Sequence, residues 1–331
     1  MAARLPIGYA VSLEQFEPGV AVELAARAEQ AGFVGSMAGD QFQPQVPQGG
    51  QAGFLWSVLG ALGSRTVGPL GGVTTPGYRM HPAVVAQASA TLECLYPGRH
   101  WLAAGSGEAL SEHVVGGYWP EPPERIARMF EAVEIIKKLF GSHDSDVRYS
   151  GRYHQLESSR LWTIPAMPPP LLVATSGPAT ARRAGKVADG LLTVESSAER
   201  LDLLLRRFDQ GVRESGRDPQ RSTRVLQVRV SWAETNEQAL ANAMEQWPVG
   251  GLRFPTADLR SPFVIAQAAR SIRPEDLRGR VLVSADLDVH RAHLQRYADL
   301  GFTHLYVHHV GRNQEDFMAA YGAQVLGRVI R

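Results

Sequence analysis

The sequence predicts an α/β fold of one kind: a parallel (β/α)8 TIM-type barrel with insertions, in which each strand is followed by a helix or by an insertion ending in one. Three observations predict it. Strand-like and helix-like runs alternate from end to end. No composition shift or linker divides the 331 residues into halves, and no repeat recurs at a fixed period. Barrels of this class commonly run to about 250 residues or more, which leaves room for insertions. The expected organisation is one barrel domain over residues 1–331.

The elements follow in order. A strand over Pro6–Ser12 leads to a helix over Val20–Gly32, apolar on one face and closed by Gly32. Strand Phe33–Gly39 runs into a Gly/Pro/Gln loop through Gly53, then helix Phe54–Ser64. Strand Val67–Thr74 precedes helix Pro82–Leu95, and strand His100–Ala104 precedes the loop Gly105–Glu108. Helix Arg125–Phe140 is followed by a hairpin in Asp146–Trp162 that turns near Ser150-Gly151. The rhythm resumes with strand Pro170–Ala174, helix Ala179–Val187, strand Gly190–Val194 and helix Ala198–Glu214. Strand Thr223–Trp232 and helix Asn236–Gln246 come next, then an irregular stretch over Trp247–Pro262. Helical pieces at Phe263–Ser271 and Val289–Gly301, strand His304–His309 and helix Gln314–Ile330 complete the chain. Catalytic groups of such a barrel belong in the loops at the carboxyl ends of its strands.

Composition excludes several classes. Lys+Arg 34 against Asp+Glu 33 gives a net charge of +1, without the basic excess of a nucleic-acid binder. No apolar run approaches the roughly 18 residues of a membrane span. Met1–Pro6 carries one basic residue and no signal-peptide core, so a cytoplasmic protein is expected. The single cysteine, Cys94, excludes an internal disulfide and any multi-cysteine metal site; its small, apolar helix suggests a core position. The histidines show no ligand spacing: His308 and His309 point to opposite faces of a strand, and His290 and His293 read as one solvated helix face. No metal site is expected.

Polar groups at strand ends carry the functional signal. Glu14 follows the first strand, Asp40-Gln41 the second and Glu108 the fourth, so three carboxylates converge on one mouth. Singly, each also fits a helix cap or a surface charge. Gly105-Ser106-Gly107 begins like a dinucleotide fingerprint, but Leu110 stands where its third glycine belongs. Ser176-Gly177-Pro178, before a helix, can present backbone N–H groups to a phosphate.

Through these residues the chain resembles the luciferase-like flavin and deazaflavin oxidoreductases, and within them the coenzyme F420 (deazaflavin)-dependent glucose-6-phosphate dehydrogenase group. The matches span nearly the whole sequence. They include Ser12–Phe16 (SLEQF), Asp40–Gly50 (DQFQPQVPQGG), Thr75-Pro76, His81–Gln87 (HPAVVAQ) and Cys94–Pro97 (CLYP). They continue through Gly105–Leu110 (GSGEAL), Trp119-Pro120-Glu121, Gly177-Pro178-Ala179 and Ala188-Asp189-Gly190. The resemblance implies a homodimeric enzyme for a small-molecule substrate, with its cofactor across the carboxyl-end mouth. It places a non-proline cis bond at Gly72-Val73, behind the ring. Thr75, Asp40, Ser106, Gly107 and Glu108 would touch the ring, while Thr175, Ser176, Gly177 and Ala179 would form the phosphate turn. FMN is the alternative cofactor, as in the monooxygenase branch, and a non-catalytic cofactor-binding relative is a further alternative.

The chain departs from that group where substrate is handled. Its proton-accepting histidine is Gln41, a walling tryptophan is Gln45, and a phosphate-binding lysine aligns near Ser197. A second lysine falls in the shortened Gly250–Arg260 stretch; Arg280 matches the cradle's arginine, with Arg253 or Arg260 as loose substitutes. A glutamine amide orients a carbonyl or hydroxyl but accepts no proton at neutral pH. The expected reaction is therefore reduction of an activated C=C, C=N or C=O bond by reduced deazaflavin, with a proton from Glu108 or water. Gln41 would hold the acceptor, Asp40 would orient Gln41, and Glu14 would be a second acid. Dehydrogenation of an alcohol or sugar phosphate is the alternative direction.

Overall fold

The computed structural model describes residues 3–331. Its strands are β1 (Ile7–Ala10), β2 (Ser36–Gly39), β3 (Leu70–Thr74), β4 (His100–Ala104), β5 (Val147–Ser150), β6 (Gln155–Ser159), β7 (Leu171–Ala174), β8 (Gly190–Val194), β9 (Thr223–Ser231), β10 (Leu282–Val283) and β11 (His304–His309). Its helices are α1 (Pro18–Gln30), α2 (Leu55–Arg65), α3 (Pro82–Leu95), α4 (Ala109–Glu112), α5 (Pro122–Phe140), α6 (Pro178–Val187), α7 (Ala198–Glu214), α8 (Asn236–Gln246), α9 (Pro262–Ala269), α10 (Leu287–Asp299) and α11 (Gln314–Gln324). The order β1-β2-β3-β4-β7-β8-β9-β11 closes back on β1 with every pairing parallel. These are the eight strands that the sequence pattern predicts. The hairpin β5–β6 stands outside the barrel, and β10 is a short edge on β9. None of the helices among the described residues is long and apolar enough to cross a membrane.

Two layers of apolar packing hold this arrangement. Outward-facing strand residues join the helices in the main core, with Leu70, Leu102, Leu191, Leu226 and Leu305 fully buried. A second cluster fills the barrel's own interior: Ala10, Met37, Trp101, Ala103, Leu172, Leu192, Val225 and Tyr306. Trp101 donates its indole N–H to the Tyr306 hydroxyl at 3.1 Å. Both rings need glycine opposite them. A Cβ on Gly8 would lie 2.4 Å from Tyr306, and one on Gly71 would lie 2.1 Å from Trp101. The plug ends there. Strand alternation then places smaller or polar residues one step higher on the same inner face: Gly39 above Met37, Gly105 above Ala103, Ala174 above Leu172, Gln227 above Val225 and His308 above Tyr306. A cavity opens over the plug at the carboxyl ends.

Four sequence expectations are corrected. There is no cis peptide among the described residues, so Gly72-Val73 is a trans link. The β3 ladder runs unbroken through it, with Gly72 and Val73 in register with Ala38 and Gly39 on one side and Leu102 and Ala103 on the other. Cys94 is exposed, because it shares the outer stripe of α3 with Val84, Gln87 and Thr91. His290 and His293 are buried: His290 bridges the Tyr321 hydroxyl (2.6 Å) and the Ser284 carbonyl (3.0 Å), and His293 meets Glu195 at 2.6 Å. Their helix face turns inward onto α11 and the end of β8. Finally, the last helix stops at Gln324, because the chain turns at Gly327 (φ +75°) and pairs back along Arg4, with Leu5 N–H donating to the Val329 carbonyl.

Candidate active site

The cavity at the carboxyl ends of the strands holds about 640 Å³, within the range of small-ligand sites. Its wall includes Glu14, Asp40, Gln41, Gln45, Val73, Thr75, Ser106, Gly107, Glu108, Thr175, Ser176 and Gly177 from the sequence-derived set. Gly72 lies behind Val73 on β3, facing Leu59 and Leu55 of α2. Ser197 and Arg280 are not part of the wall. The Ser197 hydroxyl caps α7 by accepting the Arg200 N–H, and Arg280 is an exposed residue beyond Leu277.

Asp40 is the most firmly held of these groups. Its Oδ2 accepts from the Thr74 hydroxyl at 2.7 Å and pairs with Arg79 at 3.1 Å. Arg79 in turn pairs with Glu112 at 3.2 Å, and its backbone N–H donates to the same carboxylate. All three side chains are buried, with Asp40 at 0%, Glu112 at 1% and Arg79 at 8% exposure. Asp40 Oδ1 has no protein partner. Glu112 and Arg79 were not singled out by the sequence; Glu112 lies just past the GSGEAL run, in the short α4 that the sequence pattern did not predict.

The acids beside the cavity are perturbed in one direction. Burial pushes Glu14 up to about 7, nearby Glu108 adds to the rise, and hydrogen bonds from the Gln45 backbone N–H and the Gln41 side chain oppose it. Glu108 is exposed at the mouth of the cavity, where partial desolvation raises its carboxyl while Arg229 and Arg125 pull it back. Water reaching Glu108 through the mouth weakens the upward push. His308, missed as a site residue, lines the floor, where burial and the Arg229 charge lower it to about 3; it is neutral at working pH. Arg229 also lines the wall and was missed. The alternation Gln227-Val228-Arg229-Val230, with polar residues facing into a barrel strand, is the signal that could have found it.

Two features fit a planar, phosphate-bearing cofactor. Gly107 has φ +86°, and a Cβ there would lie 2.8 Å from Thr75 Cγ2 and 3.3 Å from Trp119, so only glycine leaves this flat approach clear. At the other side Gly177 precedes α6, its N–H held by Thr175 Oγ1 at 3.1 Å. The first helical bond runs from Ala181 to the Gly177 carbonyl, and no acceptor among the described residues takes the N–H groups of Ala179 and Thr180. Open donors at a positive helix end suit a phosphate. Ala179 contributes through its backbone; the side chain facing the cavity is Thr180.

Comparison with known proteins agrees with this geometry. The chain is 35% identical to an F420-dependent glucose-6-phosphate dehydrogenase of Microbacterium testaceum (strain StLB037), over 99% of this chain and 98% of the relative. It is 37% identical to a protein of the same name from Nakamurella multipartita, over 97% and 96%. A solved F420-dependent secondary alcohol dehydrogenase, in complex with an F420-acetone adduct, superposes with TM-score 0.92 at 28% identity, covering 97% of this chain and 98% of that one. The family model described as luciferase-like monooxygenase matches residues 5–304. On fold, site and sequence together, the chain belongs to the luciferase-like monooxygenase family.

Proposed function

We infer that this protein is an F420-dependent oxidoreductase that reduces an activated C=C, C=N or C=O bond with reduced deazaflavin. The observation that carries the reading is the pairing of a glycine-lined flat approach at Gly107 with open N–H donors at Ala179 and Thr180, in relatives that are named F420-dependent. When bound, the deazaflavin supplies a hydride from its ring carbon. Thr75, Ser106 and Gly107 would seat the ring, and the Thr175–Gly177 turn with the Ala179 and Thr180 N–H groups would hold the phosphate.

The chain's own residues supply orientation and a proton. Gln41 presents an amide to the acceptor's oxygen or nitrogen from beside Glu14 in the cavity wall. Glu108, whose carboxyl is raised above its ordinary range, delivers a proton to the atom that does not receive hydride. Glu14, at about 7, is a second acid within the same network. Asp40, fixed by Thr74 and Arg79, anchors the strand end from which Gln41 projects. Two electrons arrive with the hydride and one proton with the acid, so the bond is reduced without any further reagent.

Oxidation of a sugar phosphate is the second reading, favoured by the names of the relatives. Against it stand Gln41, which accepts no proton, and a cavity wall with a single basic side chain, Arg229. We also propose a homodimer: the exposed stripe of α3, with Val84 50% and Leu95 59% exposed, carries no charged side chain. The test of function is single-turnover oxidation of reduced F420 against a panel of enones, imines and carbonyls. An acceptor should be reduced, and Glu108→Gln should slow that step by about 10²–10⁴ while F420 affinity stays within a few-fold. Turnover of alcohols with oxidised F420, and of no unsaturated acceptor, would contradict the proposal.

A further inference from the structure

Arg229 is the cationic group in the cavity wall whose bonding within the protein is incomplete. It projects from β9 half-buried in the cavity wall, and burial lowers its pKa. Its Nε is shut off from solvent without a partner, and none of its guanidinium nitrogens donates to a protein acceptor among the described residues. Trp247 lies against it, with the guanidinium carbon 4.9 Å from the ring centroid, which fixes its plane. Glu14, Glu108 and Glu195 surround it, yet none comes within the 4.0 Å of an ion pair. Glu195 is engaged by Tyr297 (2.6 Å) and His293, Glu14 by Gln45, and Glu108 is exposed at the mouth. His308, beside it, is neutral. A cationic donor buried without a hydrogen bond is expensive, so it is retained where a ligand completes the guanidinium.

We propose that Arg229 binds the carboxylate of the substrate, which makes the substrate class a monoanionic acid carrying the reducible bond: an unsaturated, 2-oxo or imino acid. This rests on the oxidoreductase reading above. A planar guanidinium with free donors matches the two oxygens of a carboxylate. A phosphate dianion needs more positive charge than the site holds. Arg229 is the only Lys or Arg in the wall; Arg79 is consumed by Asp40 and Glu112, and Arg125 by Asp258. Arg280 and Arg253, which would have to replace it, are exposed outside the wall. An acid bound at Arg229 also works with the chemistry, because its negative charge favours the protonated form of the neighbouring Glu108.

The test uses benzoate, benzamide and inorganic phosphate, none of them reducible here, titrated calorimetrically into the protein with and without bound F420. The wild type should bind benzoate at least about 10-fold more tightly than benzamide and more tightly than phosphate. Arg229→Gln should lose about 10- to 100-fold in benzoate affinity and little for benzamide, with Arg229→Lys between them. Equal binding of acid and amide, tighter binding of phosphate, or an Arg229→Gln protein with unchanged benzoate affinity would overturn the proposal. If Arg229→Gln fails to fold, the wild-type contrast and the Arg229→Lys titration decide. F420 affinity is measured on the same preparation. Acid-over-amide preference without F420 binding would overturn the cofactor reading and leave the carboxylate site standing.

Discussion

The two halves of the barrel mouth are built on opposite plans. On the side of β1 to β4 the polar side chains are tied mostly to one another: Asp40 to Thr74 and Arg79, Arg79 to Glu112, Glu14 to Gln45, and Gln43 to the Leu110 carbonyl. On the side of β7 to β11 the groups are left open: the N–H groups of Ala179 and Thr180, the guanidinium of Arg229 and Nε2 of His308. The closed half costs little to keep, because each buried charge has its partner, and it sets positions. On the proposed reading, the open half would gain its missing hydrogen bonds from ligands. Asp40 Oδ1 and Gln15 Oε1 are exceptions in the closed half, buried acceptors of wall residues without a partner among the described residues.

That contrast breaks if the two arginines respond alike to removal. Arg79→Ala leaves Asp40 and Glu112 buried without their cation, and chemical denaturation should show a loss of about 3–5 kcal/mol. Arg229→Gln removes a cation that has no partner, so its unfolding free energy should stay within about 1 kcal/mol of wild type or rise. Equal destabilisation would mean that Arg229 belongs to the scaffold after all.

A smaller effect concerns Glu14. Its folded-state pKa, about 7, lies above the ordinary 4.5, so the folded protein holds this proton more tightly than the unfolded chain does. Stability from this group is therefore complete below about pH 4.5 and is lost as pH rises toward 7. Glu14→Gln should remove that decline, gaining about 1–2 kcal/mol on wild type between pH 5 and pH 8 in paired thermal melts. A difference that does not vary with pH would show that Glu14 is not held protonated by the site.

Much of this was legible in the sequence, for a physical reason. Barrel strands buried on both faces read as short apolar runs between helical repeats, so all eight could be placed, and the carboxylates at their ends fall on the mouth by topology alone. What one residue does next to distant ones was not legible. The alternation of Gln227 and Arg229 with Val228 and Val230 marks an inner face of β9 but not that this face meets a cavity, and Arg79 becomes a scaffold cation only because Asp40 and Glu112, 39 and 33 residues away, meet around it. His290 and His293 looked solvated because helical spacing defines a face but not which way it turns. Cys94 failed in the opposite sense. Ser197 and Arg280 were placed by resemblance, and the structure leaves both outside the cavity wall.

Equilibrium titration of the cofactor-free protein with F420 and with FMN distinguishes the two cofactors. F420 should bind saturably, and far more tightly than FMN, with Gly107→Ala weakening it because the added Cβ meets Thr75 and Trp119. Tight binding of FMN with no measurable binding of F420 would contradict the account.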